Sequence, residues 1–190
     1  MKKFVSMLLV AALAVSMIGC GNKKEEPAKD AVAVADAVEI LTKTYECFDD
    51  DMKFPIGGGS YENMTADVPG AIDPADTESL AGLLQFPVDS ADLIDDAASM
   101  LHMMNANTFT GAAFHLENSD DVDVFVESLK ENIMGTQWMC GFPDTLNIFV
   151  VNGEYVVSAF GNADIMENFK TKLNEVFGDS AVIVVEESLI

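Results

Sequence analysis

A chain that places Asn152-Gly153 between the apolar runs 146–151 and 154–160 is committed at that point to a tight β-hairpin. Both central residues of such a turn need positive φ, which Asn and Gly adopt at little cost. A two-residue loop sets Val150 opposite Tyr155, Ile148 opposite Val157 and Leu146 opposite Ala159. These pairs form one apolar face, while Asn147 opposite Ser158 and Val151 opposite Glu154 leave the other face mixed.

The neighbours of the hairpin extend the pattern. Ser119-Asp120-Asp121 suits a helix start, and Val122, Phe125, Leu129 and Ile133 then make one stripe ending at Gly135. After the hairpin, Asn162 is placed to cap a second helix, with Ile165, Phe169, Leu173 and Val176 inward and Gly178 as its stop. Residues 181–185 follow as a β-branched strand. Ahead of all this, 108–116 reads as a strand, joined through the turn-like Asn105-Ala106-Asn107 to an earlier one ending near Met104. The resulting order, strand, helix, strand, strand, helix, strand, is the split β-α-β, ferredoxin-like plan. The expected class is α+β: an antiparallel sheet with helices on one face.

Upstream, Val34, Val38, Leu41, Tyr45 and Phe48 fall at helical spacing, which predicts an amphipathic helix over 31–48. Residues 49–73, with Gly57-Gly58-Gly59-Ser60 and two prolines, read as irregular loop. Asp73-Pro74 looks like the start of a short helix reaching Leu84. Residues 31–190 thus form one domain, a helix-and-loop portion 31–95 followed by sheet and helices 96–190.

The first thirty residues carry a different message. Lys2-Lys3, an apolar run over 4–18 and Met17-Ile18-Gly19-Cys20 resemble a bacterial lipoprotein signal, cut before Cys20 so that this cysteine carries lipid. An ordinary secretory cut near Ala14-Val15-Ser16 is the competing reading. A membrane-spanning helix needs about 20 apolar residues, more than the run supplies. On the lipoprotein reading, 1–19 is the signal and 20–30 a polar tether, and acyl chains on Cys20 hold the protein at the extracytoplasmic face of the cell membrane.

Composition removes several functions. The chain of 190 residues holds 32 Asp and Glu against 10 Lys, for a formal charge of −22. Every basic residue is lysine, and loss of the signal deepens the imbalance. A phosphate backbone needs a basic face, so nucleic-acid binding is excluded. Without arginine there is no planar fork to grip a carboxylate or phosphate in two places. No cofactor motif is present, and none is expected.

The candidate chemistry is thin. His102, His115, Met100, Met103, Met104 and Cys140 are the residue types a soft metal would choose, yet their spacing matches no metal motif. Asp49-Asp50-Asp51 and the acidic run 118–123 lack calcium-loop spacing. Cys140 with His102 or His115 has the composition of a nucleophile and base, without a motif. Cys47 and Cys140 are the two thiols beyond Cys20. They are open either to a disulfide, worth about 4–5 kcal/mol across so long a loop, or to the free state. Trp138, Met139 and Phe142 stand in the segment 135–143 with two turn-forming glycines, a segment suited either to plugging the end of the core or to anchoring a partner.

The stretch 96–177, with Met103-Met104-Asn105-Ala106-Asn107-Thr108-Phe109-Thr110 and Trp138-Met139-Cys140-Gly141-Phe142-Pro143 ahead of the hairpin, resembles uncharacterised lipoproteins of anaerobic Gram-positive bacteria, grouped as a domain of unknown function. The resemblance implies the location argued above and supplies no site. The expected role is a non-enzymatic, lipid-anchored binding or accessory domain with an unidentified protein or small-molecule partner. The alternatives are a small extracytoplasmic enzyme using Cys140 or His102/His115, and a metal-handling lipoprotein.

Overall fold

The computed structural model describes residues 32–104 and 108–190. The expected signal, Cys20 with the expected tether, and the turn expected at Asn105-Ala106-Asn107 lie outside the described residues. The elements are α1 (Ala37–Glu46), β1 (Ile56–Gly58), β2 (Thr65–Ala66), β3 (Gly70–Ile72), α2 (Thr77–Leu84), β4 (Ile94–His102), β5 (Phe109–Leu116), α3 (Val122–Met134), β6 (Thr145–Val151), β7 (Tyr155–Gly161), α4 (Ala163–Phe177) and β8 (Ala181–Ser188).

All strands join one eight-stranded antiparallel sheet in the order β2-β1-β4-β5-β7-β6-β8, with β3 also paired to β4. The class is α+β. Two split β-α-β units are present, β5-α3-β6 around β7 and β7-α4-β8 around β6. In the ferredoxin-like plan the last strand returns to pair with the first of the four; here β8 continues outward and pairs with β6. That difference decides where the helices go. Two right-handed crossovers that start on antiparallel strands and step the same way across the sheet must land on opposite faces. Accordingly α4 (Phe169, Leu173, Phe177) packs with α1 (Ile40, Leu41) on one face. On the other, α3 (Phe125, Leu129, Ile133) packs with α2 (Leu80, Leu84). The expected one-faced arrangement is replaced by a sheet covered on both sides.

Double coverage also explains the hairpin register, which is one residue away from the expectation. Val151 pairs with Tyr155, Val150 with Val156, Ile148 with Ser158 and Leu146 with Phe160. Asn152 and Gly153 do take positive φ, 55° and 76°, and the Glu154 N–H donates to Val151 O. Glu154 nevertheless stays in the turn. Within the ladder its carboxylate would sit against fully buried Val151, a costly burial of charge. Phe149, Val151, Val157 and Ala159 then face α1 and α4, while Leu146, Ile148, Val156 and Phe160 face α2 and α3. Near-continuous apolar runs are the pattern of a strand buried on both faces.

Residues 49–73 are more ordered than their glycines suggested, since they supply β1, β2 and β3. The glycines are the reason. A Cβ on Gly58 would lie 2.1 Å from the Gly70 nitrogen, so the two backbones meet where neither has a side chain. Ser99 locks the seam, accepting from Gly59 N–H at 2.7 Å and donating to Gly59 O at 3.0 Å.

Several caps come from residues other than those the sequence suggested. Asp76, not Asp73, caps α2 by accepting from Ser79 N–H, because Asp73-Pro74 is spent on the preceding turn. Asn118 accepts from Asp120 N–H ahead of α3. Asn162 makes no side-chain cap; the Asp144 carboxylate takes that place at 3.0 Å from Ala163 N–H. Among the described residues no helix is long and apolar enough to cross a membrane.

Candidate docking surface

Phe109, Gly161, Thr145 and Ser188 stand level across four adjacent strands. They define one end of the sheet, the rim. The loop from α3 to β6 crosses this rim and is fixed at both feet. At its start the Thr136 hydroxyl bonds Asn132 O and Gln85 Oε1, at 3.0 and 3.1 Å. At its end Pro143 is buried, and Asp144 N–H donates to Gly161 O while Asp144 O accepts from Leu189 N–H, both at 2.9 Å.

Between those feet the three residues singled out in the sequence divide. Trp138 is half-buried, its ring 5.3 Å from that of Phe160, and it packs onto the core beneath α3. Met139 and Phe142 point away from the core, 87% and 67% exposed, and Ile190, just past the rim end of β8, is 87% exposed. Leaving a large apolar side chain in water forgoes about 1.5–3 kcal/mol of burial. Packing explains Trp138. It does not explain Met139 or Phe142.

Methionine marks the rest of the rim. Of the eight methionines after Cys20, Met100 and Met166 are buried, while Met52, Met64, Met103, Met104, Met134 and Met139 are exposed. Met103 and Met104 follow β4 to the rim, Met134 ends α3, and Met64 meets Met103 over Gly57, their sulfurs within 3.2 Å of the place a Cβ would occupy. Flexible thioethers suit a surface that adapts to what it binds.

The proposed chemical constellations are not assembled. His102 is at the rim end of β4, stacked 4.4 Å from the Phe54 ring with 3° between planes, and its Nδ1 accepts from Met104 N–H. Burial lowers its pKa below the ordinary value. Met100 is inside the core beneath α1 and α4. His115 is at the opposite end of the sheet, about 20 Å from the rim at the rise of an extended strand. Cys140 lies in the rim loop that leads into β6, a strand three places from the β4 that ends in His102, or about 14 Å of sheet. Neither Cys-His pair therefore meets, and the Met, His and Cys candidates surround no common point. Among the described residues no group of three or more His, Cys, Asp or Glu could hold a metal ion. Cys47 and Cys140 are both free and exposed, the first just after α1 and the second in the rim loop after α3, helices that cover opposite faces. Asp49 pairs with Lys172, and Asp50 with Lys53.

One polar cluster escaped the sequence reading. The β-bulge between Ile94 and Asp96 lets consecutive aspartates do different work. Asp95 Oδ1 lies 2.5 Å from His115 Nδ1, and Asp96 Oδ2 accepts from Ala37 N–H at the start of α1. Glu154 Oε2 stands 4.0 Å from His115 Nε2, and the Tyr155 ring is 4.6 Å from the imidazole. Burial, followed by the charges of Glu154, Asp96, Asp36 and Asp95, raises the Tyr155 pKa. A phenol so placed holds its proton and makes a poor nucleophile for His115, which has an orienting carboxylate in Asp95. Adjacent acids gave no sequence signal for this, because only the bulge separates their roles. No family model matches the chain, and no match to it was found among curated proteins or solved structures.

Proposed function

We propose that the protein is a lipid-anchored, extracytoplasmic binding domain whose rim docks a partner protein. The observation that carries this reading is the pair Met139 and Phe142, held out in solvent by a loop whose feet are fixed. The place where the described chain begins supports it. The described chain begins at Val32, whose carbonyl accepts from Asn152 Nδ2 at the tip of the β6-β7 hairpin. A lipid on Cys20, twelve residues earlier, would hold the hairpin end toward the membrane and turn the rim away from it. The strong negative charge acts in the same direction by repelling anionic head groups.

The test is recovery of the tagged full chain from its native membrane, with identification of what accompanies it. Met139→Ser with Phe142→Ser is expected to lose the partner and keep the melting temperature. Retention of the partner by that variant overturns the rim as its site. Cys20→Ser is expected to leave the membrane fraction or accumulate as precursor, and a mature protein that starts upstream of an unmodified Cys20 removes the anchor from the proposal.

A second reading rests on the Asp95-His115 contact, the arrangement of an oriented general base. In that enzyme the nucleophile would be water or a substrate group. His115→Gln abolishing a hydrolytic activity of the purified protein, with folding intact, would favour it over the binding domain.

A further inference from the structure

Strand β8 is one outer edge of the sheet, and among the described residues no strand pairs with its free side. Such an edge is a template for another strand unless charge, proline, a bulge or a covering element protects it. Here the protection is uneven. The C-terminal half is clipped from both faces: Lys170 of α4 reaches Glu186 at 3.2 Å, and Lys130 of α3 reaches Glu187 at 3.0 Å. In the N-terminal half Val182, Ile183 and Val184 are exposed, and the protection there is a single β-bulge at Val184, where the pairing with β6 shifts by one residue. A run of β-branched residues without Pro or Gly is the composition that adds strands most readily.

We infer that this edge accepts, as an added strand, an extended segment of a partner protein with alternating apolar residues flanked by Lys or Arg. The inference rests on the reading of the domain as a binding module and names the chemistry of what it binds. Three features specify the occupant. A row of free N–H and C=O groups is satisfied by extended backbone, and main-chain bonds give such complexes their affinity. The exposed valines and isoleucine call for apolar side chains at its centre. Asp179 before the strand and a chain charge of −22, which the lysines on Glu186 and Glu187 leave largely uncompensated, call for basic flanks, since complementary charge steers and registers an interface.

A second copy of this chain fits worse. Pairing β8 antiparallel with itself would bring Glu186 and Glu187 at the end of each strand toward the turn that holds Asp179 of the other, and like charges brought together are destabilising. The two-fold axis would also point the two hairpin tips, and so the two tethers, in opposite directions.

The experiment titrates the isotopically labelled full chain with the peptide Lys-Lys-Val-Thr-Ile-Thr-Val-Lys-Lys, following backbone amides by NMR. Shifts are expected at 181–188, with slowed exchange of amides on the free side. Replacing the flanking lysines by glutamate is expected to weaken binding about tenfold or more, and a proline in place of the central isoleucine to abolish it. Val182→Lys with Val184→Lys is expected to lose the peptide without a fall in melting temperature. Equal binding of the proline peptide, which would mean adsorption by charge alone, overturns the inference. So do shifts located away from β8, or amides of β8 already protected by a concentration-dependent dimer. The Met139→Ser, Phe142→Ser variant is expected to bind the peptide normally, so failure of the rim reading and failure of this one are read separately.

Discussion

The two ends of the sheet are built on opposite principles. At the hairpin end polar groups are engaged with one another: Asp96 with the first turn of α1, Asp95 with His115, and Asn152 with Val32. At the rim the backbone is equally well tied down, but Met139, Phe142 and Ile190 are left in water. The hairpin end thus fixes where the chain arrives and how α1 sits, which is structural work. The rim keeps apolar surface that the fold does not need. A surface maintained against its own solvation is the better candidate for function.

The sharpest way to break this comparison is to substitute residues at each end and ask whether stability or binding suffers. Trp138→Ala, at the base of the rim loop, is expected to cost about 3 kcal/mol, the low end of the range for a large aromatic because the ring is only half-buried. Urea unfolding measures it. A cost below about 0.5 kcal/mol, the range of ordinary surface changes, would move Trp138 from the core to the binding surface.

At the hairpin end, Asp96→Ala leaves the buried Ala37 N–H without its acceptor, a loss of about 1–3 kcal/mol. Hydrogen exchange at the start of α1 should accelerate. The Tyr155 pKa should fall toward its ordinary value, because Asp96 is among the charges that raise it. An unchanged tyrosine titration would mean that the two groups are not neighbours in solution.

Smaller still is the expected stability change for Met139→Ser or Phe142→Ser, within about 0.5 kcal/mol as for exposed positions generally. A larger loss would mean that these side chains fold inward and would remove the contrast between the ends. Both cysteines of the described domain should react with a maleimide in the unreduced, unfolded protein. Protection of both would indicate a bond between Cys47 and Cys140 that the free thiols of the structure do not contain.

What the sequence makes legible is local. The stripes of α3 and α4 and the turn at Asn152-Gly153 follow from spacing and residue type. The layer arrangement was hidden because β6 and β7 are apolar on both faces, and a one-residue change of register swaps the faces without exposing either. Asn147 and Ser158 made one face look wet, yet both are buried. The seam of Gly58 and Gly70 depends on two backbones meeting from separate strands, which composition reads as loop. At the candidate site, Trp138, Met139 and Phe142 could be named but not sorted. Sorting them required Phe160, a residue more than fifteen positions away, to receive one ring and leave the other outside.

The smallest effect concerns the histidine at the rim. Burial against Phe54 lowers the His102 pKa from 6.5, so the folded state keeps the ring neutral at pH values where the unfolded chain protonates it. Below 6.5 the unfolded state therefore binds the additional proton, and stability falls as acid is added until the folded ring protonates too. Above 6.5 neither state is charged there and the contribution vanishes. His102→Gln should flatten this part of the stability profile while leaving the rim partner bound, because the imidazole is occupied with Phe54 and with the Met104 N–H. If the variant instead loses the partner with its pH profile unchanged, His102 belongs to the docking surface, and the boundary between core and rim moves inward by one residue of β4.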